Sequence, residues 1–185
     1  EVTRLLFKKY PTPGDYARAQ LYAGLDLGLI PDTTPGDLAR AQLSELEYDL
    51  KSISFYRNKS KNIKAACTMI VNQFNGKVPD NIDDLLRLPG IGRKSANIIL
   101  NECFNTPAIG VDTHVLRVSR RLAFTGNKNP DAVEKDLCAR IPQKKRHRVT
   151  RVLTAHGKTL CNARKPLCSQ CPVEKLCAWR KENPG

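Results

Sequence analysis

Apolar side chains recur every three or four residues along almost the whole chain, and the period-two alternation of a half-buried strand is nearly absent. Ile63, Ala66, Cys67, Ile70, Val71 and Phe74 form one stripe; Ala96, Ile99, Leu100 and Cys103 a second; Val115, Val118 and Leu122 a third; Val149, Val152, Leu153 and Leu160 a fourth. A chain patterned this way buries its apolar groups by packing helix on helix, so an all-α fold is expected. Its 185 residues suffice for one ordinary core or two small ones without disulfide staples.

Boundary signals separate the stripes: Pro79-Asp80 ahead of Ile82, Leu85 and Leu86, Pro89-Gly90 after Leu88, and Gly126 to Pro130 before Val133 and Leu137. With no Gly/Ser-rich linker or low-complexity tract, short loops should join closely packed helices. Thr12 to Leu21 is repeated as Thr34 to Leu43, changed only from Tyr16 to Leu38. Each copy reads as a helix start, with Thr12 or Thr34 at the N-cap, Pro13 or Pro35 behind it, and Asp15 or Asp37 placed to complete a capping box. Two copies are too few for a solenoid, so the 12–43 segment reads as a local duplication.

The formal charge of +13 is uneven: residues 1–50 carry five Lys/Arg against eight Asp/Glu, while residues 51–185 carry 26 against 10. A field of that sign attracts polyanions, nucleic acid first among them. No stretch approaches the roughly 18 apolar residues of a membrane span, and no signal-peptide pattern opens the chain, so neither a membrane nor a secreted role is expected.

Cys161, Cys168, Cys171 and Cys177 fall within seventeen residues as C-x6-C-x2-C-x5-C, apart from Cys67, Cys103 and Cys138, which lie on helical faces and read as small core residues. Disulfides among the four would close very short loops, so a metal centre is favoured; the thiolates alone admit either zinc or a [4Fe-4S] cluster. Arg164, Lys165 and Lys175 make the surroundings basic.

The most informative stretch runs from Leu85 through Pro89, Gly90, Ile91, Gly92, Arg93 and Lys94 to Leu100 and reads as helix, tight turn, helix. Gly90 and Gly92 permit positive φ and let backbone amides at the second helix's N-terminus approach an anion, with Arg93 and Lys94 at the same positive end. Such a turn suits phosphate and ignores base sequence. Asp112, in Gly110-Val-Asp-Thr-His-Val115, would by pattern alone be a helix N-cap. His114 reads as a hydrogen-bonded helix residue, His156 as a core histidine, and Lys144 to Arg148 as either a solvated face or a phosphate patch.

Together, Leu88-Pro-Gly-Ile-Gly-Arg-Lys-Ser-Ala-Asn97, Val111-Asp-Thr-His-Val-Leu-Arg-Val118 and the four spaced cysteines resemble the endonuclease III family of helix-hairpin-helix DNA glycosylases and AP lyases. The resemblance covers about residues 44 to 181. It implies two helical lobes, residues 1–108 carrying the hairpin and 109–185 the cysteines, with damaged double-stranded DNA across the cleft between them and the lesion flipped out. It implies Lys94 as nucleophile, Asp112 as catalytic carboxylate, and Pro89, Gly90, Ile91, Gly92 and Arg93 as DNA-binding residues. Phe55 takes the place of the wedge beside the flipped base, and Cys161, Cys168, Cys171 and Cys177 become ligands of a [4Fe-4S] cluster rather than of zinc.

The implied activity is removal of oxidised pyrimidines followed by β-elimination through a lysine Schiff base, by a monomer in a reducing compartment such as the cytoplasm or nucleoid. An attacking lysine must be neutral, whereas an ordinary one, with pKa about 10.4, is roughly 0.04% neutral at pH 7. A helix first turn, a neighbouring arginine and partial burial are the expected means of removing the proton. Against the family pattern the chain starts late, at Glu1, which implies an N-terminal truncation, and Ser54 stands where a glycine is usual. A catalytically impaired DNA-binding fragment is the alternative, with an adenine-DNA glycosylase as a third reading that the presence of Lys94 opposes.

Overall fold

The computed structural model describes residues 34–184, and among them every regular element is helical. The chain divides into two units with the boundary between Thr106 and Pro107.

In the first unit, α1 (Pro35–Arg40) and α2 (Leu43–Asp49) pack on the long α3 (Tyr56–Gln73), and α4 (Ile82–Arg87) packs on α5 (Arg93–Cys103). The second copy of the duplicated segment starts α1 as its sequence dictates. Thr34 Oγ1 accepts from the Asp37 amide at 3.2 Å while the Asp37 carboxylate accepts from the Thr34 amide at 2.8 Å, completing the capping box. The first copy lies outside the described residues. Leu38, Leu46, Ile63, Ala66, Cys67, Ile70, Leu85, Leu88, Ile99 and Leu100 supply the core, each large side chain worth about 1.5–3 kcal/mol when fully removed from water.

In the second unit, α6 (Thr113–Arg121) crosses α9 (Val149–Thr159), with α7 (Pro130–Arg140) and the short α8 (Gln143–Arg146) alongside. Ile109, Val111, Val115, Val118, Val133, Leu137, Val149 and Leu153 form its core. The α6–α9 crossing is close because position 157 lacks a side chain: a Cβ there would lie 2.8 Å from His114 Cβ. Beyond α9 the chain makes two 3-10 turns, Cys168–Gln170 and Glu174–Leu176, and ends in α10 (Ala178–Glu182).

The stripes hold at most positions, but Val71 and Val152 are exposed, the latter at 50%. Both sit on the outer flank of a helix whose opposite side already fills the core, so their periodicity is satisfied without burial. The helix after Pro79-Asp80 begins at Ile82, with Asn81 as its N-cap, its side-chain oxygen accepting from the Asp84 amide at 2.9 Å. Cys67 and Cys103 are buried as expected, whereas Cys138 is only half-buried against the second core.

Candidate active site and candidate metal centre

The turn between α4 and α5 is built from Leu88 to Gly92. Ile91 N donates to the Leu88 carbonyl at 3.1 Å, and Gly90 has φ +81°, a conformation that L side chains rarely adopt. A Cβ at Gly90 would also meet Asn62 Cβ of α3 at 2.8 Å, so the turn is pressed against that helix. Gly92 does not use the positive φ open to a glycine: at φ −92° and ψ 171° it is the extended N-cap of α5, with open space where a Cβ would stand. Having no side chain, it leaves the first-turn amides of α5 uncapped and open to approach, the arrangement that binds anions at helix N-termini.

Arg93 and Lys94 are the first two residues of α5. Lys94, at the second helical position, is exposed among the described residues and not partly buried as expected. Phe55 stands at the N-cap of α3 with its side chain 80% exposed and its backbone left-handed at φ 61°. A large aromatic residue held outward on a strained residue is costly unless used, which fits a group that enters a partner.

Asp112 caps α6 and does more. Its Oδ1 accepts from the Val115 amide at 2.7 Å, and its Oδ2 accepts from the Thr154 hydroxyl of α9 at 2.9 Å. One turn earlier on α9, Thr150 Oγ1 accepts from the Gly110 amide at 2.9 Å and donates to the Gly110 carbonyl at 3.0 Å. Two threonines four residues apart thus pin the loop and orient its carboxylate. Neither is apparent from the sequence, since the contacts span 40 residues or more. His114 Nδ1 lies 3.1 Å from Arg117 Nη2, which also donates to the Gly157 carbonyl at 2.9 Å, a structural role that agrees with the expectation for it.

Cys161, Cys168, Cys171 and Cys177 line one pocket together with His156, Arg121, Leu122, Leu160 and Trp179. A cavity of only about 20 Å³ lies among these groups. His156 is therefore half-buried at the pocket wall, Nε2 3.8 Å from Cys171 Sγ, and not a core histidine. Among the described residues no three His, Cys, Asp or Glu side chains converge as ligands of a single ion would. Four cysteines around one pocket supply the donor set of either a four-thiolate zinc site or a [4Fe-4S] cluster.

A helix, a Gly-turned hairpin ending in an Arg-Lys pair, and a carboxylate loop on a second helical unit define a helix-hairpin-helix protein. A model of the HhH-GPD superfamily of base excision DNA repair proteins matches residues 1–143. Endonuclease III of Bacillus subtilis is 38% identical over 177 residues, 95% of this chain and 71% of that protein. Endonuclease III of Synechocystis is 44% identical over 134 residues, 72% of this chain and 61% of that protein. A solved structure described as a trapped endonuclease III–DNA covalent intermediate superposes with a TM-score of 0.74 at 38% identity, covering 100% of this chain and 76% of that one. A thermostable thymine-DNA glycosylase shares the fold at a TM-score of 0.75 and 23% identity. The chain belongs to the endonuclease III family of the HhH-GPD superfamily.

Proposed function

We propose that this chain is a bifunctional DNA glycosylase and AP lyase, acting on duplex DNA that carries oxidised pyrimidines or abasic sites. The observation that carries the proposal is Lys94: an exposed amine at the first turn of α5, directly behind the uncapped glycine turn. The turn's amides and Arg93 take the phosphates of the strand, leaving the amine beside the backbone it is to cut.

In the reaction the neutral amine of Lys94 bonds to the sugar C1′ as the glycosidic bond breaks, its electron pair leaving with the base. Ring opening converts the adduct into a Schiff base. The imine acidifies C2′, whose proton is lost as the C3′–O bond breaks and the 3′ phosphate departs; water then releases the lysine. Asp112 stabilises the positive charge developing on the sugar or takes the proton from the amine. Both its oxygens are already held by Val115 and Thr154, so it need not reorganise as that charge appears. Phe55 wedges into the duplex beside the flipped nucleotide.

Cys161, Cys168, Cys171 and Cys177 hold a [4Fe-4S] cluster, whose contribution is to fold and stiffen the basic loop around Arg164 and Lys165 for backbone contact. The sugar chemistry is carried by side chains alone.

Borohydride reduction tests the central claim. Wild type mixed with an abasic duplex gives a covalent protein–DNA adduct; Lys94→Ala gives none while still binding the duplex. An undiminished adduct in Lys94→Ala removes the assignment, and binding without nicking by wild type marks an inactive DNA-binding fragment.

A further inference from the structure

Arg121, the last residue of α6, sends its guanidinium into the cysteine loop. Nη1 donates to Cys161 Sγ at 3.2 Å and to the Asn162 carbonyl at 2.8 Å, and Nη2 donates to the Ala163 carbonyl at 3.0 Å. The same group lies over the indole of Trp179, 4.6 Å from the ring centroid. The backbone carbonyl of Arg121 is 3.5 Å from Cys177 Sγ. One planar cation therefore touches the first cysteine's sulfur, the two carbonyls that follow it and the ring two residues past the fourth cysteine. Its own backbone meets that fourth sulfur.

No lysine could do this, since an ammonium on a flexible stem lacks the rigid fork that serves a sulfur and two carbonyls while stacking on a ring. Leu122, Leu160 and Trp179 form the apolar wall here, so a charge-assisted hydrogen bond to sulfur is little screened by water. We propose that Arg121 is a positioning residue for the cluster: it presents Cys161 to its iron and, by donating to that sulfur, favours the reduced state. The proposal rests on the [4Fe-4S] reading of the four cysteines. The physical effect is twofold. The fork removes freedom from the 161–167 stretch, which lies outside any helix, slowing ligand loss. The N–H···S bond withdraws electron density from the thiolate, so an added electron is better accommodated and the reduction potential rises.

Wild type, Arg121→Gln and Arg121→Lys, each purified with its metal, test this by metal content, rate of iron loss to a chelator and reduction midpoint. Arg121→Gln is expected to lose iron on the order of tenfold faster, the scale of one hydrogen bond to a charged group, and to have a midpoint more negative than wild type. Arg121→Lys keeps the charge without the fork, so its midpoint should fall between the two while its iron loss resembles Arg121→Gln. Should Arg121→Gln take up no iron, the midpoint of Arg121→Lys decides. Wild-type midpoints and iron-loss rates in both variants, even with lowered melting temperatures, overturn the proposal by reducing Arg121 to a fastener of the fold. Zinc without iron in the wild type defeats the cluster reading itself, a result visible before any variant is compared.

Discussion

Thr154 and Asp112 meet across a hydrogen bond of 2.9 Å between two helices of one unit. Asp112 is both the N-cap of α6 and the proposed catalytic carboxylate, one oxygen serving each interest. Replacing Thr154 by Val removes the donor to Oδ2 and leaves the cap, so base excision should slow about tenfold while the melting temperature moves little; Thr154→Ser should restore the rate. A fall in stability with an unchanged excision rate would show the hydroxyl to be only a brace. The local pattern around Asp112 makes its cap legible, but Thr154 stands 42 residues away and only the α6–α9 crossing brings it near. The buried thiols give a second residue-scale expectation. Burial pushes Cys67 and Cys103 up from 9.0 to about 12. Their neutral forms are what the fold prefers, so this contribution is intact below pH 9 and declines as pH rises toward 12, where the unfolded chain alone has already ionised. Iodoacetamide at about pH 8 should therefore leave both unmodified in the folded protein and label both in denaturant, as peptide mass spectrometry would read.

At the scale of elements, the hairpin separates stability from binding between two glycines two residues apart. Gly90→Ala forces a side chain onto φ +81° and against Asn62, costing about 2 kcal/mol or more in denaturant unfolding. Gly92→Ala meets nothing, so stability should stay within about 0.5 kcal/mol while affinity for duplex DNA falls, because the new methyl stands where a strand's phosphate must approach the α5 amides. Equal losses of stability in both variants would contradict this division. The helix–turn–helix reading and the Thr34–Asp37 cap follow from local chemistry, and both appear in the structure. The positive φ at Gly90 is local too, since Leu88-Pro-Gly-Ile91 closes through the Ile91 amide with proline second and glycine third. What local chemistry does not contain is the approach of Asn62 of α3 to Gly90, which comes from outside the motif. His156 escaped for the same reason, since its helical spacing fits a core while the cysteine pocket that it borders is assembled from residues 160–180 together with Arg121 and Leu122.

Across the whole molecule, charge is arranged in blocks. Residues 137–173 contain no Asp or Glu and nine Lys/Arg, a stretch that includes α8, α9 and the first three clustered cysteines. These cations are not equivalent. Arg146 is structural, its Nε donating to the Ile141 carbonyl at 3.1 Å and its Nη2 to the Cys138 carbonyl at 2.6 Å, and so it ties α8 to the end of α7. Lys144, Lys145 and Arg148 are exposed on either side of it. A phosphate patch and a solvated face differ in counterion release: each phosphate neutralised contributes about 0.9 to the slope of log K against log salt on duplex DNA. Replacing Lys144, Lys145 and Arg148 together by Gln should lower that slope by roughly 2 to 3 and weaken binding alike on damaged and undamaged duplexes, with the melting temperature unchanged. Arg146→Gln should do the opposite, lowering the melting temperature through two orphaned carbonyls with little effect on the slope. An unchanged slope in the triple variant would assign those three cations to solvent and leave DNA affinity to the hairpin and the cysteine loop.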